Sequence, residues 1–434
     1  MPPNTQQGRP PKQAEDSAVQ PTQTEATRLA YVLMVGSTVR LLAFVIFPSL
    51  ISTYLSGRVE LSTPVTSYKR LVEGLHLSAH AVSPYDGGVF HQSPLLLLLF
   101  KPLYYLPSIF TDLLYTVADA FVALMLAKLA ALKANSASQV SFLGETRFVC
   151  MPSVVAMLYL FNPLTLGTTL VKSTIVFSHL AVVGSLYFGL QGRTNRAVAC
   201  AAVAAHLSLY PAMLIAPISL MADGCQRRCG SIVATVAKFT MAVGLLHVLF
   251  VAMFGSEYFG ATIDFTVRVA DLQPNVGLFW YFFTEVFDEF RLFYFVVFQL
   301  TALGFAVPVS WRFRQDPLFA ATFLVGIISA LKSYPAWGDL ALFLGLLPLF
   351  EELLKYLQFM FLSANLLIYG IALAPVFWYL WIEQGSGNAN FFYAATLVYV
   401  FGQITLLFDL GTAKLRRDLD IQRPEMRTRT VIQE

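Results

Sequence analysis

Residues Asn275–Gln299 read NVGLFWYFFTEVFDEFRLFYFVVFQ, a run with eight Phe, two Tyr and one Trp. Three acids, Glu285, Asp288 and Glu289, stand inside it. Their i, i+3 and i+4 spacing predicts one polar stripe along a helix otherwise covered in aromatics. A water-soluble domain would not expose such a surface. In a membrane the aromatics meet acyl chains or the interface, and the carboxylates face protein, water or a head group.

The rest of the chain agrees. Hydrophobic residues make up 56% of it, charged residues 13%, and the mean hydropathy is +0.63. These values belong to a polytopic membrane protein. A net charge of +3 over 434 residues, with no basic run interleaved with aromatics, gives no reason to expect a nucleic-acid partner. The four cysteines, Cys150, Cys200, Cys225 and Cys229, lie in or beside apolar segments. Cys225 and Cys229 flank Arg227 and Arg228, but a lone CxxxC is a weak zinc signal, and free thiols are expected.

A membrane helix needs about 20 apolar residues, and runs of about 10–14 tend to be re-entrant or interfacial. By that rule spans are expected near 29–47, 111–133, 152–171, 174–190, 231–254, 282–310, 317–333, 338–355, 358–382 and 391–413. The Pro-bounded stretch 94–107 reads as re-entrant or interfacial. Residues 197–222, split at Tyr210-Pro211, read as two short helices. The expected fold is therefore an all-α, polytopic transmembrane helix bundle with about 10–12 membrane segments. Residues 1–27, rich in Pro, Gln, Thr and Glu, are expected to be a disordered cytosolic extension with no cleavable signal of the usual form. The membrane domain is expected over 28–413, with a luminal loop at 48–93 and a cytosolic tail at 414–434.

Orientation follows from the short loops. With a cytosolic N-terminus, Lys133/Arg147, Arg193/Arg196, Arg227/Arg228, Arg312/Arg314 and Lys414/Arg416/Arg417 all fall on the cytosolic side. The opposite, luminal face then receives 48–93, Lys172-Ser173, Tyr210-Pro211, 255–275, 332–335 and 383–390.

Several residues invite chemistry. His76 and His80, at i and i+4, could share a metal, but no Glu completes an HExxH, and a solvated helix face explains them better. His91 and Asp86 flank the Gly87-Gly88 turn and read as a structural loop. Arg40 lies inside the first span, where charge is costly, so a partner in Asp112 or Asp119 is expected. Lys172 and Lys332 fall at the luminal edge, against the positive-inside tendency. Snorkelling and contact with a lipid phosphate both fit them. The loop EQGSGNAN, 383–390, sits between aromatic runs, and both a plain hairpin turn and a surface for sugar hydroxyls fit it. No Ser/His/Asp or Cys/His set gathers on the luminal face, so no catalytic residue, metal or cofactor is expected.

Eight stretches carry a family resemblance: RVELSTPVTSYKRLVEGL (58–75), SPYDGGVFHQSPLL (83–96), LFNPLTL (160–166), VKST (171–174), SLYP (208–211), DLQPNVGLFWYFFTEVFDEF (271–290), LKSYPAWGD (331–339) and GSGNANFFYA (385–394). In these, and in their order, the chain resembles the PIG-U family, the multispanning subunit of the glycosylphosphatidylinositol (GPI) transamidase of the endoplasmic reticulum. The resemblance implies a GT-C-like architecture, that of the lipid-dependent mannosyltransferases, without catalysis. It implies work beside a Cys protease-like PIG-K subunit, PIG-T, PIG-S and a GPAA-type subunit, which together attach GPI to proproteins. The implied role is to hold the GPI lipid or help to receive the attachment signal. On that reading Lys172 and Lys332 would meet phosphate, Asn388 and Asn390 hydroxyls, and Phe279, Trp280 and Phe283 the acyl region. An active GT-C mannosyltransferase using dolichyl-phosphate mannose would carry an acidic motif, often DxD, in the first luminal loop. That loop offers only the isolated Glu60, Glu73 and Asp86, and the only DxD, Asp418-Leu419-Asp420, lies in the tail. A lipid transporter would show inverted repeats, and only one broken pair is visible.

The orientation makes a direct prediction. A glycosylation acceptor inserted after residue 420 should stay unmodified and one near Ser256 should be modified; the reverse pattern would invert every luminal assignment.

Overall fold

The computed structural model describes residues 23–138, 150–222 and 229–426. Among them the secondary structure is helical throughout, with no strand. Six helices are long and apolar enough to cross a membrane: Gln23–Ile46, Ser108–Ala134, Gly230–Phe254, Asp288–Arg312, Met360–Glu383 and Ala389–Gln422. Four shorter apolar helices, Pro94–Tyr105, Ile175–Leu190, Tyr210–Met221 and Pro317–Leu331, complete the set with one bent pair. The all-α polytopic bundle stands.

Long and short helices occupy different places. Gly230–Phe254 buries only 11% of its most apolar window, and Gln23–Ile46 and Asp288–Arg312 17% each. Their Leu, Val, Met and Phe side chains point outward, Leu245, Met241 and Leu292 among them. Ile175–Leu190 and Pro317–Leu331 are buried on nearly every side. A helix apolar all round but too short for a full bilayer suits protein surroundings, whereas these three long helices turn most of their surface to hydrocarbon; Ser108–Ala134 and Ala389–Gln422, about half buried, bridge the two settings. Close backbone approach helps this packing. A Cβ on Gly370 would lie 2.7 Å from the Tyr399 Cα, so Met360–Trp378 and Ala389–Gln422 pair along their lengths.

Several expectations change. The aromatic run is not one helix. Phe279–Glu285 ends at Val286, which with Phe287 is extended, and a new helix starts at Asp288. Glu285 thus closes one helix, while Asp288 and Glu289 occupy the first turn of the next, where the helix dipole favours acids. The single acidic stripe does not form. The span expected at 152–171 is a pair, Pro152–Leu160 and Pro163–Leu170, bent by 56°. Pro163 cannot continue the first helix, and Asn162 caps the second by accepting the Leu164 N–H at 2.9 Å. The span expected at 338–355 is the α-helix Trp337–Leu346 followed by the 3-10 segment Leu347–Tyr356, kinked at Phe350. The first helix begins at Gln23, inside the extension expected to be disordered over 1–27; residues 1–22 lie outside the described residues. The last helix runs to Gln422, so the tail expected from 414 starts as helix. Cys225 also lies outside the described residues, as do residues 427–434.

Arg40 decides how four of these helices meet. It is 1% exposed and donates from Nε to Asp119 Oδ2 at 2.6 Å, from Nη2 to the Leu160 carbonyl at 2.9 Å and from Nη1 to the Gly36 carbonyl at 3.1 Å. Thr169 donates to the same carboxylate at 3.0 Å. Of the two acids expected to serve Arg40, Asp119 does so. Asp112 pairs with Lys172 instead, at 2.7 Å. Removing one partner of a buried pair leaves an uncompensated charge, at a cost of about 3–5 kcal/mol. Arg40→Met or Asp119→Leu alone should therefore sharply lower the detergent melting temperature, and the two together should recover most of the loss.

Candidate functional site

The motif-bearing segments meet at one end of the bundle through direct contacts. Thr174 donates its backbone N–H to the Thr66 carbonyl at 2.9 Å and its hydroxyl to Gln92 Oε1 at 3.1 Å. Gln92 in turn donates to the Ser67 carbonyl at 2.6 Å. This joins 58–75, 83–96 and 171–174. A second cluster joins 208–211, 271–290 and 331–339. Tyr210 donates to Gln299 Oε1 at 2.9 Å and accepts the Ser333 N–H at 3.1 Å, while Tyr334 donates to the Asp271 carbonyl at 2.9 Å. The clusters are linked by Arg70, which reaches Asp271 at 2.8 Å and Gln273 at 3.1 Å. Trp337 adds a link by donating its backbone N–H to the Glu60 carbonyl at 2.8 Å. Buried loop backbone without such partners would be expensive, and here the loops supply them to one another.

Glu60 is fully buried and bound by Arg58 through two contacts, 2.7 and 3.2 Å. Burial pushes its carboxyl above the ordinary carboxylate range, and the Arg58 charge opposes that shift. His91 stacks on Phe265 at 3.6 Å, with Nδ1 2.9 Å from the Ala261 carbonyl and Nε2 3.1 Å from that of Gly88. Burial holds its imidazole below the ordinary histidine range, so it anchors the Gly87-Gly88 turn to 255–270. His76 meets the Tyr104 hydroxyl at 3.0 Å and His80 the His76 carbonyl at 2.8 Å. Among the described residues no three His, Cys, Asp or Glu side chains assemble as metal ligands.

The residues expected to touch lipid are placed unequally. Lys332 is not at an accessible rim. It is 4% exposed and donates to Asp339 Oδ1 at 2.6 Å, while Asp339 Oδ2 accepts the Ala336 N–H. Lys172 is held by Asp112 but keeps an open edge, with 18% of its side chain exposed. It sits over the rings of Tyr68 and Phe44, at 5.4 and 5.5 Å, in the left-handed backbone conformation. Phe279, Trp280 and Phe283 are 2–3% exposed, so they do not line an open acyl surface. Trp280 packs with Val59, Ala374 and Phe392, and Phe279 and Phe283 pack with Phe265, Val269 and Tyr334. Sequence periodicity cannot distinguish an aromatic facing lipid from one facing another aromatic. Asn388 and Asn390 are exposed. Asn388 also caps the last helix by accepting the Asn390 N–H at 3.0 Å, and Asn390 accepts from the Tyr281 hydroxyl. Both the turn and the exposed amides anticipated for 383–390 are thus present. Arg58, Arg70, Gln92, Tyr210 and Ser333 hold the platform together, a role that no local sequence pattern marks. All stood in the quoted motifs; Arg58 pairs with Glu60 two residues on, whereas Arg70, Gln92, Tyr210 and Ser333 find partners tens to hundreds of residues away.

Outward long helices, a buried inner set and loops tied into one polar platform define a polytopic α-helical membrane protein with its site at one end. The family model described as GPI transamidase subunit PIG-U matches residues 34–399. The chain belongs to the PIG-U family. It is 34% identical over 423 residues to the GPI-anchor transamidase component PIGU of Cricetulus griseus, covering 91% of this chain and 95% of that one. The human component is 33% identical with the same coverage. The GPI transamidase component GAB1 of Saccharomyces cerevisiae is 33% identical over 386 residues, 88% of this chain and 93% of its own.

Gly277 shows how tightly the platform is built. A Cβ there would lie 2.6 Å from Pro335 Cδ and 2.9 Å from Asn275 Oδ1. Neither the proline ring nor the Asn275 side chain, which accepts the Gly277 N–H at 2.9 Å, can move freely. Gly277→Ala should cost about 1–3 kcal/mol, read as a lower melting temperature and faster proteolysis between residues 255 and 279.

Proposed function

We propose that this chain serves the GPI transamidase of the endoplasmic reticulum as a non-catalytic subunit, with both termini cytosolic and the platform luminal. It works beside PIG-K-, PIG-T-, PIG-S- and GPAA-type partners and presents GPI to the subunit that carries the chemistry. The observation that supports a binding role over a transferase role is the use made of four inward-placed acids of the platform. Glu60 is bound by Arg58, Asp112 by Lys172, Asp271 by Arg70 and Asp339 by Lys332. A general base must reach its substrate's proton, and a carboxylate already held in an ion pair is poorly placed to do so. The family membership favours the same reading over a mannosyltransferase.

Within this reading Lys172 meets a phosphate of GPI, and the exposed amides of Asn388 and Asn390 meet its hydroxyls. Lys332 takes no part, because Lys332→Ala would strand Asp339 inside the bundle and report on folding.

The test uses cells that lack their own subunit of this family. The wild-type chain should restore GPI-anchored protein at the surface and co-purify with the other subunits. Lys172→Gln keeps a hydrogen-bond donor for Asp112 and removes the charge, and Asn388→Ser keeps the helix cap. Each should assemble normally yet weaken GPI attachment when GPI is limiting. A charged hydrogen bond is worth about 1.5–3 kcal/mol, so the loss at Lys172 should be about 10- to 100-fold in GPI affinity. Full anchoring by both variants would remove GPI from this face. Mannose transfer from dolichyl phosphate by the purified chain, abolished by Glu60→Gln, would overturn the non-catalytic assignment.

A further inference from the structure

A second polar site lies at the far end of the Pro317–Leu331 helix from Lys332 and the platform. There a cavity of about 280 Å3 opens between the turn after Trp311 and the last helix. The turn is pinned by Phe313, 7% exposed and packed edge-on against Phe319 at 4.8 Å. The base of the cavity holds Lys414, buried to 6% exposure. It pairs with Asp316 at 3.2 Å and Asp418 at 3.1 Å. Both carboxylates are thereby shared by one ammonium, which leaves no open acidic pair for a divalent cation. At the mouth stand Arg312 and Arg314, both exposed, and among the described residues neither guanidinium makes an ion pair. Arg314 lies over the Trp311 ring at 4.8 Å. Trp311 is itself 69% exposed at the end of a membrane-length helix.

The geometry points to a binding site for the head group of an anionic phospholipid, with its phosphate held by Arg312 and Arg314. Three observations carry this. Two guanidinium groups and one ammonium face two carboxylates, which leaves a surplus positive charge, and it sits at the mouth. Stacking on Trp311 orders the Arg314 side chain before a ligand arrives, so less freedom is lost on binding. The wall formed by Leu415 and Leu419 is apolar and only partly covered, which suits the glycerol and upper acyl region of a lipid and has no use for a free ion. Trp at a span end marks the level of the head groups, and basic pockets between membrane helices recognise anionic ones. Positive-inside loops need only bear charge; they need not form a cavity with an ordered arginine.

The test reconstitutes the full chain with its partner subunits in nanodiscs of phosphatidylcholine carrying graded phosphatidylinositol, and measures retained lipid by native mass spectrometry. Both leaflets have the same composition, so the result is independent of which end is cytosolic, and the Arg312/Arg314 variants separate this site from any phosphatidylinositol held at the platform. Phosphatidylinositol should be retained in preference to phosphatidylcholine. Arg312→Gln with Arg314→Gln should weaken that retention on the order of 30-fold. Arg312→Lys with Arg314→Lys should preserve most of it, and Arg193→Gln with Arg196→Gln on another loop should leave it unchanged. Inorganic phosphate at millimolar concentration should not displace the lipid. The inference falls if the Gln pair retains phosphatidylinositol like wild type, or if the Arg193/Arg196 pair loses as much. It also falls if phosphatidylcholine is held equally well or inorganic phosphate displaces the lipid.

Discussion

A charge inside a membrane protein has little water to fall back on, and the contact of Arg40 with Asp119 shows how this constraint shapes the bundle. Arg40 stands in the first helix, Asp119 in Ser108–Ala134, the Leu160 carbonyl at the end of Pro152–Leu160, and Thr169 in Pro163–Leu170. One guanidinium thereby fixes the register of four helical segments. The bend at Asn162-Pro163 belongs to the same arrangement, because it frees the Leu160 carbonyl from its own helix and leaves it to accept from Arg40. A straight helix through 152–171 would have kept that carbonyl for itself.

The same rule sorts the helices by length. Those facing hydrocarbon must satisfy their backbone alone and span its thickness, so Gly230–Phe254 and Gln23–Ile46 are long and uninterrupted. Those enclosed by other helices can be short or broken, because neighbours complete them. Trp337–Leu346 gives way to a 3-10 segment at Pro348, and buried Asp409 restores what is lost by accepting the Gln358 and Phe359 N–H groups ahead of the next helix.

Polar residues of the platform obey it too. Buried Lys332 and Asp339 neutralise each other, Arg58 does so for Glu60, and the hydroxyls of Tyr210 and Tyr334 serve the loops. These pairings tie the loops of the platform to one another and to the helices beneath. At the other end Lys414 occupies its two carboxylates, while Arg312 and Arg314 keep their charge for something outside the chain.

Much was already determined by sequence alone. Apolar runs of bilayer length require a polytopic helical protein, because only helices satisfy their own backbone in lipid apart from closed barrels. The split at Tyr210-Pro211 was legible for a local reason, since proline removes a helix-interior N–H and disfavours helical backbone at the residue before it, although Pro375 is tolerated inside Met360–Trp378. An acidic partner for Arg40 was also legible, because a lone charge within a span must find one. Tertiary structure alone decided that the partner is Asp119, since two acids seven residues apart share one helix face, two turns apart in height, and only packing sets which level meets Arg40. It also decided that the Phe-rich run breaks at Val286-Phe287 and that Phe279, Trp280 and Phe283 face protein. A lipid and a neighbouring aromatic present the same apolar surface to a sequence pattern. Finally, it separated two lysines that look alike in sequence. Lys332 is buried beside Asp339, seven residues on, whereas Lys172 keeps an exposed edge. That difference depends on how many helices surround each residue, which no local spacing encodes.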